Sequence, residues 1–434
     1  MFWYQKMKIP PQIGFVFMLH RLLLTVSLVV SIGISESLAQ YDAWKYSGSM
    51  YIVTTPDGAD LPETAVERDF PLLVRLNRGF FDFSQARPRG EDIRFSADGQ
   101  PLAYQIESWN VSAGRADIWV RIPVIQGNTQ QAIQMHWGNE AVASKSNGEE
   151  VFVTSRGFAG VWHLGDDLHD STSNNLDGVN RTDRPTTNST GVIGDAQEFG
   201  IDKLLVIRPP DAGQDRRVKC MPAGNADRTM SAWVKPTSFE SHNWAPAAIG
   251  GWGEPEPGQK PGMGLSYFTL SGRGQPRFHL YGFDPRCASA LPRHEWRHVA
   301  LSISDDMVRF YVDGVLERTI DNNSNAVSRL GTLRTPASTR VDLGDHGNGR
   351  GPFSGVLDEV RFESVARSDH WLKLCFENQK PLQRLVGPLV KEGHSFSVSQ
   401  SQLELNEGSS IDLSAEAEGA RKRAMSPREM DSLR

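Results

Sequence analysis

The stretch His294-Glu295-Trp296-Arg297-His298-Val299-Ala300-Leu301-Ser302-Ile303 admits two readings, and the choice between them sets the fold. Its first five residues fit HExxH, which on a helix sets two histidines one turn apart around a zinc ion. The continuation does not keep a helical period. Val299, Leu301 and Ile303 alternate with Ala300 and Ser302, the period of two that marks a strand. On a strand, four residues span ~13 Å. Two nitrogens each ~2 Å from one zinc lie no more than ~4 Å apart. The segment therefore predicts a strand and no metalloprotease site.

The same period runs outward from this stretch. In Ala116–Val124, the residues Ile118, Val120 and Ile122 share one face while Asp117, Trp119 and Arg121 share the other, predicting a half-buried strand. Further short runs, Gly48–Thr54, Phe70–Leu76, Asp92–Ser96, Leu102–Trp109 and Gln131–Trp137, are separated by Gly, Pro, Asn and Asp. Asp313-Gly314, between Phe310-Tyr311-Val312 and Val315-Leu316-Glu317, supplies the positive φ angles of a two-residue hairpin loop. Short strands with no amphipathic helix between them predict an all-β chain built from antiparallel sandwiches.

Composition agrees. The 434 residues are 39% hydrophobic and 23% charged, which excludes wholesale disorder. A formal net charge of -6 leaves no global basic field for nucleic acid or anionic lipid. The 40 Gly and 25 Pro show no three-residue period, so the chain is not collagenous. Three Cys cannot form a disulfide scaffold.

The first forty residues read as an address. Lys6, Lys8 and Arg21 precede the apolar run Leu22 to Ile34, and Ser37-Leu38-Ala39 follows with small residues where a signal peptidase cuts. The run is 13 residues long, against the ~20 that cross hydrocarbon. Residues 1–39 are therefore expected to be a signal peptide cut before Gln40. The product is expected to be secreted, periplasmic or exposed on the cell envelope, with net charge -8. A membrane enters only through export or a larger envelope assembly.

Two blocks follow. Trp44, Phe70-Pro71-Leu72-Leu73-Val74, Asp92-Ile93-Arg94-Phe95, Pro101-Leu102-Ala103-Tyr104-Gln105-Ile106-Glu107-Ser108-Trp109, Ile118-Trp119-Val120-Arg121-Ile122-Pro123 and His136-Trp137-Gly138-Asn139 resemble the bacterial family called domain of unknown function 2341. That family has no established chemistry. Its four Trp here, Trp44, Trp109, Trp119 and Trp137, suit packing more than a sugar platform. The second block carries Val161-Trp162-His163-Leu164, Met230-Ser231-Ala232-Trp233-Val234-Lys235-Pro236, Trp296-Arg297-His298-Val299-Ala300-Leu301, Val308-Arg309-Phe310-Tyr311-Val312-Asp313-Gly314 and Phe353-Ser354-Gly355-Val356-Leu357-Asp358-Glu359-Val360-Arg361-Phe362. This ordered set resembles the laminin-G-like, concanavalin A-like jelly roll. The expected organisation is a β-sandwich over 40–152 and a jelly roll over 156–380. Residues 381–434 are expected to be a linker and an incomplete immunoglobulin-like segment, partly disordered. In planctomycete-like proteins this pair of domains often precedes proton channels of the TolQ/ExbB type, which implies an extracellular spacer as one possible role.

Three chemistries deserve weighing. The resemblance brings glucanases to mind, which set two carboxylates two residues apart on one strand face. Asp358 and Glu359 are adjacent, so a regular strand would point them to opposite sides, and hydrolysis is disfavoured. The loop Asp166, Asp167, Asp170, Asn174, Asn175 and Asp177 is rich in the hard oxygens calcium takes. The resemblance implies Asp170 and Asp358 as calcium ligands, with Asp177 a third. The alternative is an Asx-turn loop that needs no ion. Cys220 and Cys287 could pair in an oxidising compartment, leaving Cys375 over, and the sequence leaves connectivity open. For a ligand, the aromatics Trp244, Trp252, Tyr267 and Phe268 around the Gly-rich stretch Gly250–Gly264 are the contact candidates, against a reading of Tyr267 and Phe268 as ordinary strand residues. The expected function is a non-catalytic module binding a glycan or a cell-surface protein, with calcium as the one cofactor in view. A polysaccharide hydrolase or lyase is the rival.

Overall fold

Arg297–Ser304 is a strand, and its two faces enter different cores. Val299, Leu301 and Ile303 point into one apolar cluster, while Ala300 belongs to a second cluster on the opposite side of the sheet. His294 stands before the strand with a left-handed φ of 63°, so no helix brings it towards His298. The computed structural model describes residues 40–209, 216–239, 246–254, 264–280, 284–304, 307–320, 333–346 and 351–391. The expected signal segment 1–39, Trp244 and the immunoglobulin-like stretch from 392 onward lie outside the described residues.

The N-terminal block is a sandwich of two antiparallel sheets. One has five strands in the order Val390–Lys391, Tyr46–Val53, Gln130–Trp137, Arg94–Ala97 and Gln100–Leu102. The other has three, Val66–Asn77, Arg115–Gln126 and Tyr104–Asn110. Met50, Ile52, Phe95, Ile133 and Met135 from the first meet Phe70, Leu72, Val74, Ile118 and Val120 from the second. This is the core that the alternation in Ala116–Val124 predicts.

The second block is a concanavalin A-like jelly roll. Its six-stranded sheet runs Pro276–His279, Leu265–Leu270, Ala247–Gly253, Val341–Leu343, Leu205–Arg208 and Asp177–Asn180. Its larger sheet runs Thr187–Thr190, Asp195–Phe199, Ser354–Glu363, Arg228–Ser238, Arg297–Ser304, Met307–Val312 and Val315–Ile320, and Phe158–Trp162 also pairs with Ser354–Glu363. Asp313 and Gly314, with φ of 50° and 74°, close the expected hairpin.

The two blocks share a core, which departs from the half-buried reading of Ala116–Val124. Asp117 and Trp119, expected towards solvent, are 6% and 0% exposed, because the larger jelly-roll sheet covers that face. The helix Asp369–Gln379, capped by the Ser368 hydroxyl, wedges into the seam. Its Trp371 packs edge-on to Phe70 at 5.0 Å, and Leu372, Leu374 and Cys375 join the N-terminal core. Residues 385–391, expected in a linker, also return to that block. Leu385, Val386 and Leu389 are in its core, and Val390–Lys391 pairs with Tyr46–Val53.

Asn378 finishes the seam at the open edge of strand Val66–Asn77. Its side chain accepts from Leu73 N at 2.6 Å and donates to Leu73 O at 2.9 Å, with no exposure. Asn378→Ala would leave both backbone groups buried and unpaired, so a loss of about 2–4 kcal/mol is expected. Because one core takes residues from both blocks, Ala300 and Tyr311 of the jelly roll among them, calorimetry of this variant is expected to show one transition at lower temperature, with no early separate melting of either block.

Candidate functional site

The polar face of the three-stranded sheet builds the site. On Tyr104–Asn110 the residues Gln105 and Glu107 lie on it, beside Asp117 and Trp119 of Arg115–Gln126. Opposite stands strand Ser354–Glu363, whose Leu357, Val360 and Phe362 point into the jelly-roll core. Between Leu357 and Val360 a regular strand would send one residue to each side. A bulge intervenes: the pairing with Arg228–Ser238 shifts register between Ser231 and Trp233, and Glu359 takes a left-handed φ of 51°. The expectation that Asp358 and Glu359 point to opposite sides is thereby corrected. The extra residue leaves both off the jelly-roll core, at a backbone cost of about 1–3 kcal/mol.

Glu107, His163 and Glu359 converge, each offering a ligand atom within 4.8 Å of the others. His163 Nδ1 lies 2.6 Å from Glu359 Oε1 and 3.5 Å from Glu107 Oε2. The indole of Trp119 donates to Glu107 Oε2 at 2.6 Å and stacks near-parallel to the His163 ring at 5.7 Å. Arg361 donates to Glu359 Oε2 at 2.7 Å, with its guanidinium 4.5 Å from the Trp119 ring centroid.

Burial and charge set the carboxylates apart. Desolvation, then the neighbouring Glu359, Asp117 and Asp358, push Glu107 well above the ordinary glutamate range. Asp358 rises for the same reasons, burial first and Glu359 second. Burial acts on Glu359 as well, but His163 and Arg361 outweigh it and hold this carboxyl below its usual value.

The cluster backs onto a cleft of about 560 Å3 between the blocks. Gln105, Glu107, Trp109 and Asn110 form one wall, and His163, Asp166, Asp167 and Asp170 form part of the other. Glu359, whose side chain is 1% exposed, sits behind His163 and is not among the lining residues.

The structure does not gather the expected calcium trio. Both Asp170 oxygens are taken: Oδ1 by Val161 N and Thr172 N, Oδ2 by Thr172 Oγ1 and Leu176 N. Asp177 accepts from Asp170 N and pairs with His169. These bonds make the loop an Asx-type turn. Asp358 Oδ2 is engaged elsewhere, by Val192 N and Ile193 N. Among the described residues, the group that can hold a metal is Glu107, His163 and Glu359.

Of the aromatic contact candidates, Trp252 and Phe268 are corrected to core residues, 0% and 1% exposed inside the jelly roll. Tyr267, on the other face of the sheet, is also buried, and its hydroxyl donates to Asp342 Oδ2 at 3.1 Å. His346 and His279 stack beside it. The Cys220–Cys287 pairing is corrected as well: both are free thiols, as is Cys375. Cys220 lies between bridges to Thr339 and Thr335, whereas Cys287 N is bonded to Pro276 O at another strand.

Sequence reading misses Glu107, His163 and Arg361. A usable signal was the indole of Trp119 in the polar half of an alternating strand, a large apolar group with no reason to face water.

Two family models match the chain. Residues 89–165 match the family model described as Domain of unknown function (DUF2341). Residues 214–373 match that of the Concanavalin A-like lectin/glucanases superfamily. The chain thus carries these two domains in that order. No curated protein matches it. Similar solved structures include domain 4 of AbnA, a GH43 extracellular arabinanase from Geobacillus stearothermophilus, in complex with arabinotriose, at 22% identity and TM-score 0.35, covering 50% of this chain and 96% of that one. Another is the CBM40 of the Ruminococcus gnavus IT-sialidase bound to alpha2,3 sialyllactose, at 17% identity and TM-score 0.29, covering 35% and 83%. A Trypanosoma rangeli sialidase matches at 15% identity and TM-score 0.36, covering 58% of this chain and 41% of that one.

Asp342 gives a pH test of the jelly-roll face. Burial first, with Asp345 adding to it, raises its carboxyl from 3.8 to about 7. A folded-state value above the unfolded one means the folded protein holds the proton more tightly. Stability is therefore expected to fall as pH rises from about 4 to about 7. Asp342→Asn is expected to flatten that slope, raising the melting temperature at pH 8 while changing it little at pH 4. Melting scans across this range check it.

Proposed function

We propose that the protein is a non-catalytic carbohydrate-binding module acting outside the cytoplasm, with the glycan seated in the cleft between its two β-domains. The cleft itself carries the reading. Sugar hydroxyls donate and accept at once, and here carboxylates at Asp166, Asp167 and Asp195 and amides at Gln105, Asn110 and Asn147 surround an open space of about 560 Å3. The half-buried Trp109 adds an indole to the wall. The concanavalin A-like match over 214–373 supports carbohydrate as the ligand class. The expected export segment supports an extracytoplasmic site.

One observation favours a second reading, a polysaccharide hydrolase. Glu107 is pushed up and Glu359 held down, the divergence expected of an acid and its ionised partner. Against catalysis, both carboxylates must reach one glycosidic bond, and Glu359 is screened by His163.

A polysaccharide panel decides between them. Binding without release of reducing ends is expected. An Asp166→Ala, Asp167→Ala double variant is expected to lose at least about tenfold in affinity, the effect of roughly 1.4 kcal/mol, with an unchanged melting temperature. Turnover would establish the hydrolase instead, and full affinity in the double variant would remove the cleft as the site.

A further inference from the structure

We propose that Glu107, His163 and Glu359 bind a divalent first-row transition metal ion that joins the two β-domains at the floor of the cleft. Their ligand atoms already lie within 4.8 Å of one another. Atoms bound ~2 Å from one ion are up to ~4 Å apart, so side-chain movements of under about 1 Å complete the set. One imidazole nitrogen and two carboxylates suit zinc-like ions. Calcium takes roughly six to eight oxygens.

The surroundings have the form that metal ligands require. His163 Nε2 faces Gln105 Oε1 at 3.3 Å, and the Gln105 amide is fixed by donating to Ser171 Oγ at 2.9 Å. A proton on Nε2 is thereby held by an acceptor, and Nδ1 is presented to the cluster. Arg361 occupies Glu359 Oε2 and leaves Oε1 towards His163. Glu107 and His163 both line the cleft, which gives an ion its way in.

Charge points the same way. Four carboxylates, Glu107, Asp117, Asp358 and Glu359, face two guanidinium groups, Arg75 and Arg361. Asp358 Oδ1 is buried with no hydrogen-bond partner. With the four carboxyls ionised and Nδ1 free of its proton, as metal binding requires, the cluster is two positive charges short, the charge of one such ion. In the ion's absence, the short His163 Nδ1 to Glu359 Oε1 contact holds a proton where the metal would sit. Binding forms the Nδ1–metal bond and releases that proton to solvent.

The test uses the full chain, with Zn2+ as the probe and no glycan present, so it does not depend on the proposed ligand. Elemental analysis after zinc loading and dialysis is expected to give about one zinc per chain. Melting scans are expected to rise by several degrees with Zn2+ and not with Ca2+. Glu107→Gln keeps the shape but removes a charged ligand, and His163→Ala removes the nitrogen; both are expected to abolish the zinc-dependent rise. Without zinc, Glu107→Gln is expected to melt close to the parent, because the amide oxygen still accepts from the Trp119 indole. If His163→Ala does not fold, Glu107→Gln alone decides. Substoichiometric zinc in the parent, or a zinc-dependent rise that survives Glu107→Gln, would overturn the site.

Discussion

The guanidinium of Arg361 is the joint on which the rest depends. It projects from the last long strand of the jelly roll and lies 4.5 Å from the ring centroid of Trp119 and 5.3 Å from that of Phe152, both on the N-terminal side. Its side chain is 3% exposed and ion-paired to Glu359. A buried, weakly hydrated planar cation tolerates such a place when aromatic faces and a carboxylate surround it. Removing one partner of such a pair is costly, since the other charge stays buried. The contact therefore fixes how the two sheets lie on each other.

From that joint follows the unusual position of the three-stranded sheet. At Asp117 and Trp119 both faces are covered, one by its own sandwich and the other by the jelly roll, so these two side chains are shut off from solvent. They are satisfied within the protein instead: Ser108 donates to Asp117 at 2.7 Å, and Trp119 donates to Glu107. The bulge at Glu359 belongs to the same economy. It spends a left-handed backbone to deliver a second acidic side chain to the interface, where His163 and Arg361 compensate it.

The period-two segments told of the strands because alternation is local. Val299, Leu301 and Ile303 announced one core without help from the rest of the chain, and Asp313-Gly314 announced its turn. What alternation cannot say is whether the opposite face meets water or another sheet. Asp117 and Arg121 looked like a solvated edge, and Trp119 was the sole dissenting residue. The cluster was hidden for a second reason: His163 and Glu359 are 196 positions apart. The bulge that turns Glu359 inward leaves no mark in residue type, since glutamate is not the residue a left-handed angle prefers. Asp170 and Asp177 were conspicuous in sequence because turn-forming and calcium-binding loops share the same residues. Hydrogen bonding to their own backbone distinguishes the two, and only the folded chain displays it.

The packing of the two blocks turns on the sealing of the Trp119 face by the jelly roll. Amide hydrogen exchange followed by peptide mass spectrometry tests this directly. Peptides covering Ile118–Ile122 and Val356–Phe362 are expected to exchange together, with the same opening free energy, because neither strand is uncovered while the other stays packed. Exchange of Ile118–Ile122 through a separate, easier opening while Val356–Phe362 remains protected would contradict it.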